Sequence, residues 1–202
     1  MTGEKPPKAD FEAFLRMTFQ APLDWLATRF LKIGLTPNHI TIIGLAGNVG
    51  AAILIAVGEL RWGGLVAALM APLDAIDGVM ARLRGKPSRF GAFFDSVIDR
   101  YDELILLGGL IFYFYQQTQF TAVLLTYLAA VGSALVSYTR ARAEGLGLDA
   151  KVGILTRIER SIILIIGLLI DRPIISVGII AVLANITAIQ RIVSVWKQTK
   201  IE

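Results

Sequence analysis

Six apolar segments, each close to the length of a membrane-spanning helix, dominate this sequence of 202 residues. The segments cover residues 38–58, 62–82, 91–116, 119–143, 154–171 and 173–196. A helix needs about 20 mostly apolar residues to cross the hydrocarbon core of a bilayer. The chain is only 18% charged, whereas a soluble domain has about 25% charged residues. The sequence therefore predicts an all-α integral membrane bundle of six transmembrane helices.

The positively charged residues predict how this bundle is oriented. If the N-terminus is cytoplasmic, Arg61 and Arg172 lie outside and Arg100 lies within a span, so 17 of the 20 lysines and arginines are cytoplasmic. Cytoplasmic loops of membrane proteins are rich in Lys and Arg. We therefore expect both termini on the cytoplasmic side of the cell membrane. A nucleic-acid partner is not expected, because these residues follow the membrane topology and do not form a solvated basic surface.

The predicted organisation has two parts, an N-terminal unit (1–34) and the six-helix membrane domain (35–202). In the first part, residues 10–33 are expected to form an amphipathic helix at the membrane interface, with Asp10 as its N-cap. Pro22 should bend this helix or split it. A helix that packs only on protein is the alternative. The apolar residues recur at helical spacing: Phe11, Phe14, Leu15, Phe19, Leu23, Leu26 and Phe30.

The chain offers almost no cysteine or histidine chemistry. It has no cysteine and a single histidine, His39. This composition excludes disulfides, a thiolate nucleophile and a zinc site built from several histidines. Thr36 or Asn38 can cap the first span, and we expect the neighbouring His39 to be a capping or interfacial residue.

Four aspartates interrupt segments that are otherwise apolar: Asp74, Asp77, Asp95 and Asp99. Each carboxylate near the centre of a spanning helix costs about 2.5–3.5 kcal/mol on insertion scales. At 100° per residue, the first two lie about 60° apart and the last two about 40° apart, so each pair shares one helix face. If the two faces meet, they form an oxygen-rich site suited to one or two Mg²⁺ ions.

Two other interpretations of the acids are open. The acids could pair with the arginines nearest in sequence, although no basic residue is expected to point inward between them. Those arginines are Arg82, Arg84, Arg89 and Arg100. Alternatively, the carboxylates could serve a metal-ion or proton transporter, since such proteins also place acids inside membrane helices.

The acids also belong to a longer pattern, which reads Asp74-x2-Asp77-Gly78-x2-Ala81-Arg82-x8-Gly91-x3-Asp95-x3-Asp99. At all eight positions this pattern resembles the signature of the CDP-alcohol phosphotransferases. The resemblance implies an enzyme that moves a phosphatidyl or archaetidyl group from CDP-diacylglycerol or CDP-archaeol to an acceptor hydroxyl, with release of CMP. It also implies six spans, an interfacial N-terminal helix and a homodimer.

The resemblance further assigns roles to residues. The four aspartates would hold two divalent cations, Mg²⁺ with Mn²⁺ as an alternative, and Asp99 would also be the general base. The CDP group would contact six residues, namely Asn38, Thr41, Gly78, Ala81, Arg82 and Gly91. Phosphoryl transfer needs positioning and charge neutralisation more than covalent help, which agrees with such a site.

Five arginines at predicted cytoplasmic helix ends suggest the acceptor: Arg140, Arg142, Arg157, Arg160 and Arg191. A guanidinium matches the oxygens of a phosphate, whereas a neutral or cationic alcohol would not satisfy this cluster. The stretches SYTRARAE (137–144) and LTRIER (155–160) resemble those of phosphatidylinositol-phosphate and archaetidylinositol-phosphate synthases. We therefore expect inositol 1-phosphate as acceptor, with glycerol 3-phosphate as the alternative. Positive-inside topology with lipid-headgroup contact is a competing explanation for any single arginine.

Overall fold

The computed structural model describes residues 11–85 and 88–200, with side chains from Gln20 onward. Over these residues the fold is all-α and contains seven helices. They are α1 (Phe11–Lys32), α2 (Pro37–Ala56), α3 (Leu60–Leu83), α4 (Arg89–Gln116), α5 (Phe120–Glu144), α6 (Arg157–Leu169) and α7 (Pro173–Thr199). The six predicted segments therefore correspond to α2 to α7.

Four helices, α2, α3, α5 and α7, are long and apolar enough to cross a membrane. Helix α4 is long, at 28 residues, but its N-terminal half is rich in charged side chains. Helix α6 has only 13 residues and starts at Arg157, three residues later than the apolar segment. The delay has a local cause, because Thr156 is the N-cap of α6 and its N–H donates to Glu159 Oε2.

Helix α2 packs against both α3 and α4, while α5 packs mainly on α7. Two glycines allow the close approach to α2. A Cβ at Gly63 of α3 would lie 2.9 Å from the Ala51 carbonyl oxygen, and a Cβ at Gly109 of α4 would lie 2.6 Å from that of Ala52. Small residues commonly allow membrane helices to pack at such short separations. The acid-bearing helices are therefore both held against α2.

Helix α1 is continuous from Phe11 to Lys32, so the expectation that Pro22 splits it is wrong. The helix continues on either side of Pro22, which is itself exposed. The second half of α1 packs on protein: Ala27 is fully buried, in a cluster with Ile76 and Met80 of α3. The predicted N-cap Asp10 lies outside the described residues, as do the side chains of Phe11, Phe14, Leu15 and Phe19.

Helix α2 begins with a reciprocal cap. The His39 N–H donates to Thr36 Oγ1, and the Thr36 N–H donates to His39 Nδ1, each over 3.4 Å. Such a pair satisfies two of the backbone groups that a helix start leaves without partners. Of the two predicted caps, Thr36 is the one used, and the capping role expected of His39 is confirmed.

Candidate active site

Four helices meet around the signature aspartates: the start of α2, the second half of α3, and the N-terminal parts of α4 and α6. Asp77 is buried and accepts a hydrogen bond of 2.6 Å from Thr41 Oγ1 of α2. Asp95 lies close enough to Asp74 and Asp77 to repel both, and Asp99 is repelled by Asp74 and Asp95. The fold thus brings the acids of α3 and α4 into one electrostatic cluster.

A guanidinium lies inside this acid cluster. Arg157, the first residue of α6, is 2.5 Å from Asp74 Oδ2 through Nη2 and 2.5 Å from Asp99 Oδ2 through Nη1. The expectation that no basic residue points between the acids is therefore wrong. Pairing with the sequence neighbours is not seen, since in the described parts of the chain no ion pair links these acids to Arg82, Arg84, Arg89 or Arg100. Arg157 arrives from a distant helix, which local spacing does not reveal.

A second ion pair lies one helical turn deeper. Arg160 is 1% exposed, and its Nε and Nη2 atoms donate to the two oxygens of Glu103 over 2.6 and 2.9 Å. Glu103 is not among the residues predicted from the sequence, although its position four residues after Asp99 places it on the same face of α4. This bidentate pair joins α4 to α6 within the bundle.

A small cavity of about 50 Å³ separates the two ion pairs, and Asn48 and Asp102 also line it. Asp99 Oδ1, Asp102 Oδ1 and Arg160 Nη1 are buried without a hydrogen-bond partner among the described residues. A polar cavity of this size has room for ordered water. The unused oxygen of Asp99 therefore remains available to a donor or a cation.

The donor atoms of this region fit a hard divalent cation. Six carboxylates lie close to only three guanidiniums that interact with them, so oxygen ligands are more numerous than bases in this part of the bundle. The acids are Asp74, Asp77, Asp95, Asp99, Asp102 and Glu103, and the bases are Arg100, Arg157 and Arg160. As the described side chains stand, no three acidic groups converge on one point. Arg157 lies between Asp74 and Asp99, so a cation bound there would compete with its guanidinium.

An open cavity of about 790 Å³ adjoins the acids on the side of α2. Asp77 and Asp95 are part of its wall. Five of the six residues predicted to contact CDP also line it: Asn38, Thr41, Gly78, Ala81 and Gly91. Arg82 does not line the cavity, whereas Arg84 does. The cavity also reaches the start of α4, where Ser88 Oγ accepts from the Gly91 N–H over 2.8 Å. The CDP-binding roles remain predictions.

The other predicted phosphate ligands are distributed around the start of α6. Arg191 is 7% exposed, and it donates to the carbonyls of Val152 and Val136. It lies close enough to Arg140 and Arg160 to repel both. Arg140 pairs with Glu144 over 2.9 Å, and Arg142 is exposed at the end of α5. The fold thus gathers Arg140, Arg157, Arg160 and Arg191 around the start of α6, where each already has at least one hydrogen-bond or ion-pair partner.

The chain is similar to known proteins over most of its length. A family model described as CDP-alcohol phosphatidyltransferase matches residues 34–196. The phosphatidylinositol phosphate synthase of Mycobacteroides abscessus is 39% identical over 154 residues, which cover 75% of this chain and 70% of that protein. The archaetidylinositol phosphate synthase of Pyrococcus horikoshii is 36% identical over 190 residues, which cover 91% of this chain and 96% of that protein.

The fold is also similar to solved structures. A crystal structure of the Mycobacterium tuberculosis phosphatidylinositol phosphate synthase with CDP-DAG bound has a TM-score of 0.82 and 32% identity, and covers 86% of this chain and 93% of that one. A second structure of the same enzyme, in complex with manganese and citrate, has the same TM-score and identity and covers 86% and 88%.

Proposed function

Because this chain belongs to the CDP-alcohol phosphatidyltransferase family, we propose that it transfers the phosphatidyl or archaetidyl group of a CDP-linked lipid to inositol 1-phosphate and releases CMP. Family membership confirms the resemblance drawn from the eight-position signature, and with it the predicted enzyme class. The names of the relatives described above imply an inositol phosphate as acceptor, and one relative was solved with CDP-DAG bound.

The single observation that carries the proposal is the junction between the large cavity and the acid cluster. Asp77 and Asp95 form part of the cavity wall, while Asp74 and Asp99 face the arginines of α6. A donor diphosphate in the cavity would therefore point toward an acceptor phosphate held by guanidiniums. Phosphoryl transfer depends mainly on such placement of the two partners.

The four aspartates are proposed to hold two divalent cations, Mg²⁺ with Mn²⁺ as an alternative. Their oxygen-only donor set, the excess of carboxylates over guanidiniums and the unpartnered Asp99 Oδ1 support this assignment. A solved relative in complex with manganese agrees with it. When bound, the ions would supply charge neutralisation at the diphosphate.

The chain's own residues have separate tasks in the proposed reaction. The acceptor oxygen forms a bond to the lipid-bearing phosphorus, and the bond from that phosphorus to the oxygen of CMP breaks. Asp99 takes the proton of the acceptor hydroxyl, a role that requires only hydrogen-bond reach. Asn38, Thr41, Gly78, Ala81 and Gly91 would hold the CDP group, with Arg82 beside them at the predicted diphosphate position. The phosphate of the acceptor would be bound by Arg140, Arg142, Arg157, Arg160 and Arg191.

The membrane arrangement forms part of the same proposal. Helices α2 to α7 are proposed to make six spans with both termini and the site on the cytoplasmic side, and α1 to lie at the interface. The positive-inside distribution supports this orientation. Trp25, 59% exposed on α1, supports contact of that helix with the interface. The homodimer implied by the family resemblance is retained as part of the proposal.

An acceptor screen tests the activity. Purified protein is given Mg²⁺, CDP-diacylglycerol or CDP-archaeol, and one of inositol 1-phosphate, glycerol 3-phosphate or inositol, and CMP release is measured. We expect release with inositol 1-phosphate and little with the other two. CMP release with glycerol 3-phosphate alone would show that glycerol 3-phosphate, and not inositol 1-phosphate, is the acceptor. No release with any acceptor, together with ion flux into sealed vesicles, would favour a transporter.

A further inference from the structure

Helix α7 carries a row of polar side chains that bind the backbone of the loop before α6 (residues 145–156). Thr187, Arg191 and Gln198 lie within about 40° of one another around the helix axis, so they share one face. Together they contact the backbone at four loop residues, namely Asp149, Val152, Ile154 and Leu155. None of this pattern is part of the aspartate signature.

Thr187 is the innermost member of the row. The backbone N–H groups of Ile154 and Leu155 both donate to its Oγ1 atom over 3.2 Å, and its side chain is fully buried. The loop also approaches Thr187 at Gly153, whose φ of +139° is rare for residues with a side chain. A Cβ at Gly153 would collide with the Thr187 methyl group.

Gln198 holds the other end of the loop. Its Oε1 accepts from the Asp149 N–H over 3.1 Å, and its Nε2 donates to the Asp149 carbonyl over 2.6 Å. Arg191 Nε donates to the Val152 carbonyl over 2.9 Å between these two attachments. The loop is therefore attached to α7 along most of its length.

This attachment fixes the start of the arginine-bearing helix. Leu155 immediately precedes Thr156, the N-cap of α6, and Arg157 follows at once. From there Arg157 reaches Asp74 and Asp99. A displacement of the 154–155 backbone would thus be transmitted directly to the guanidinium in the site.

We propose that Thr187 is a positioning residue for the acceptor phosphate. It touches no reacting atom, and it acts by holding the backbone before α6 so that Arg157 and Arg160 are presented to the site. This inference rests on the proposed function, because it assigns these two arginines to the acceptor. It also explains why a buried hydroxyl of α7 accepts hydrogen bonds from two backbone N–H groups of a loop.

The test compares Thr187→Val with Thr187→Ser and with Thr126→Val. Valine keeps the shape of threonine but removes the hydroxyl that accepts the two hydrogen bonds. Serine keeps that hydroxyl. Thr126 is a matched control, since it is also fully buried but its hydroxyl donates only within α5, to the Ala122 carbonyl. KM values for inositol 1-phosphate and for the CDP-lipid are measured separately, and hydrogen exchange is followed at the amides of residues 154 and 155.

We expect Thr187→Val to raise KM for inositol 1-phosphate about tenfold, with less than about a twofold change in KM for the CDP-lipid. Exchange at residues 154 and 155 should become faster. Thr187→Ser should restore both values, and Thr126→Val should leave them near wild type. An equal rise in both KM values, or the same acceptor effect in Thr126→Val, would overturn the inference.

Two further results distinguish a failure of the proposed function from a failure of the role proposed for Thr187. If the wild-type protein releases no CMP with inositol 1-phosphate, the proposed function fails, and unchanged amide exchange in Thr187→Val would then also refute the attachment itself. If Thr187→Val does not fold, Gln198→Leu replaces it, since Gln198 lies near the end of α7 and is half-buried. An unchanged acceptor KM in that variant would count against the proposal.

Discussion

At the scale of single residues, the site is defined by which carboxylates have partners. Thr41 donates to Asp77, and Arg157 contacts Asp74 and Asp99, yet Asp99 Oδ1 remains without a hydrogen-bond partner in the described structure. The predicted base therefore has one oxygen engaged and one available. This asymmetry suits a group that must accept a proton.

Removing the charge of Asp99 tests its role as base. Asp99→Asn keeps the shape of the side chain but cannot take the acceptor proton, so CMP release should fall by about 10²–10⁴-fold. CDP-lipid binding, followed by ligand-induced thermal stabilisation, should stay measurable. Asp171→Asn is the control, because this acid lies at the opposite end of the bundle and pairs with Arg61. Full activity of Asp99→Asn would refute the assignment.

Arg157 leads to a prediction about metal affinity. Its guanidinium contacts Asp74 and Asp99, and a cation must compete with it for both. Arg157→Gln should therefore bind Mn²⁺ about tenfold more tightly, equivalent to about 1.4 kcal/mol. Electron paramagnetic resonance titration without substrate measures this affinity, and Arg61→Gln provides the control. Equal or weaker Mn²⁺ binding by Arg157→Gln would contradict the competition.

At the scale of helices, the buried Glu103–Arg160 pair joins α4 to α6. Removing one partner of a buried pair leaves an uncompensated charge and costs about 3–5 kcal/mol. Arg160→Met should therefore lower the thermal unfolding temperature strongly, and the double variant Glu103→Leu with Arg160→Met should recover most of the loss. Unfolding in detergent measures this. Equal stability of wild type and Arg160→Met would show that the pair does not hold the helices.

Adjacent glycines on α4 give a second test of helix packing. A Cβ at Gly109 would lie 2.6 Å from the Ala52 carbonyl of α2, whereas one at Gly108 would meet nothing within 4 Å. Gly109→Ala should therefore destabilise the protein by about 1–3 kcal/mol through overpacking. Gly108→Ala should be neutral or slightly stabilising. The two unfolding curves are compared directly, and identical behaviour would argue against close packing of α4 on α2.

Local spacing predicts the parts of this structure that depend on neighbours in sequence. It predicted the seven helices to within a few residues, the shared helix face of each pair of acids, and Thr36 as one of two candidate caps. All of these follow from the geometry of one helix. It could not predict that Arg157 enters the acid cluster or that Glu103 meets Arg160. Those contacts depend on how α6 packs against α3 and α4, and the spacing of residues within one helix does not predict this packing. The start of α6 was predicted three residues too early, although the Thr156–Glu159 capping box that sets it is a local signal.

At the scale of the whole molecule, the charged residues differ between the two ends of the bundle. The loops before α4 and α6 lie at the end of the bundle that holds the acids and most arginines. The opposite end carries Arg61 and Asp171, which form an exposed ion pair. The proposed topology places the first end in the cytoplasm.

Single cysteines test this topology cleanly, because the chain has none of its own. Gln117 and Leu146 are both exposed, in the α4–α5 and α5–α6 loops respectively. In intact cells a membrane-impermeant thiol reagent should label Gln117→Cys and should label Leu146→Cys only after the membrane is opened. The reverse pattern would invert the bundle, and labelling of both in intact cells would contradict the assigned spans.

Because Arg157 pairs with Asp74 and Asp99, insertion and folding of the chain do not require the divalent ions that are proposed for activity. A newly inserted chain supplies its own counter-ion to two of its signature carboxylates, so assembly in the bilayer does not have to wait for a divalent ion. A cell depleted of such ions would then keep a folded but silent enzyme in its membrane, ready to resume lipid synthesis when the ions return.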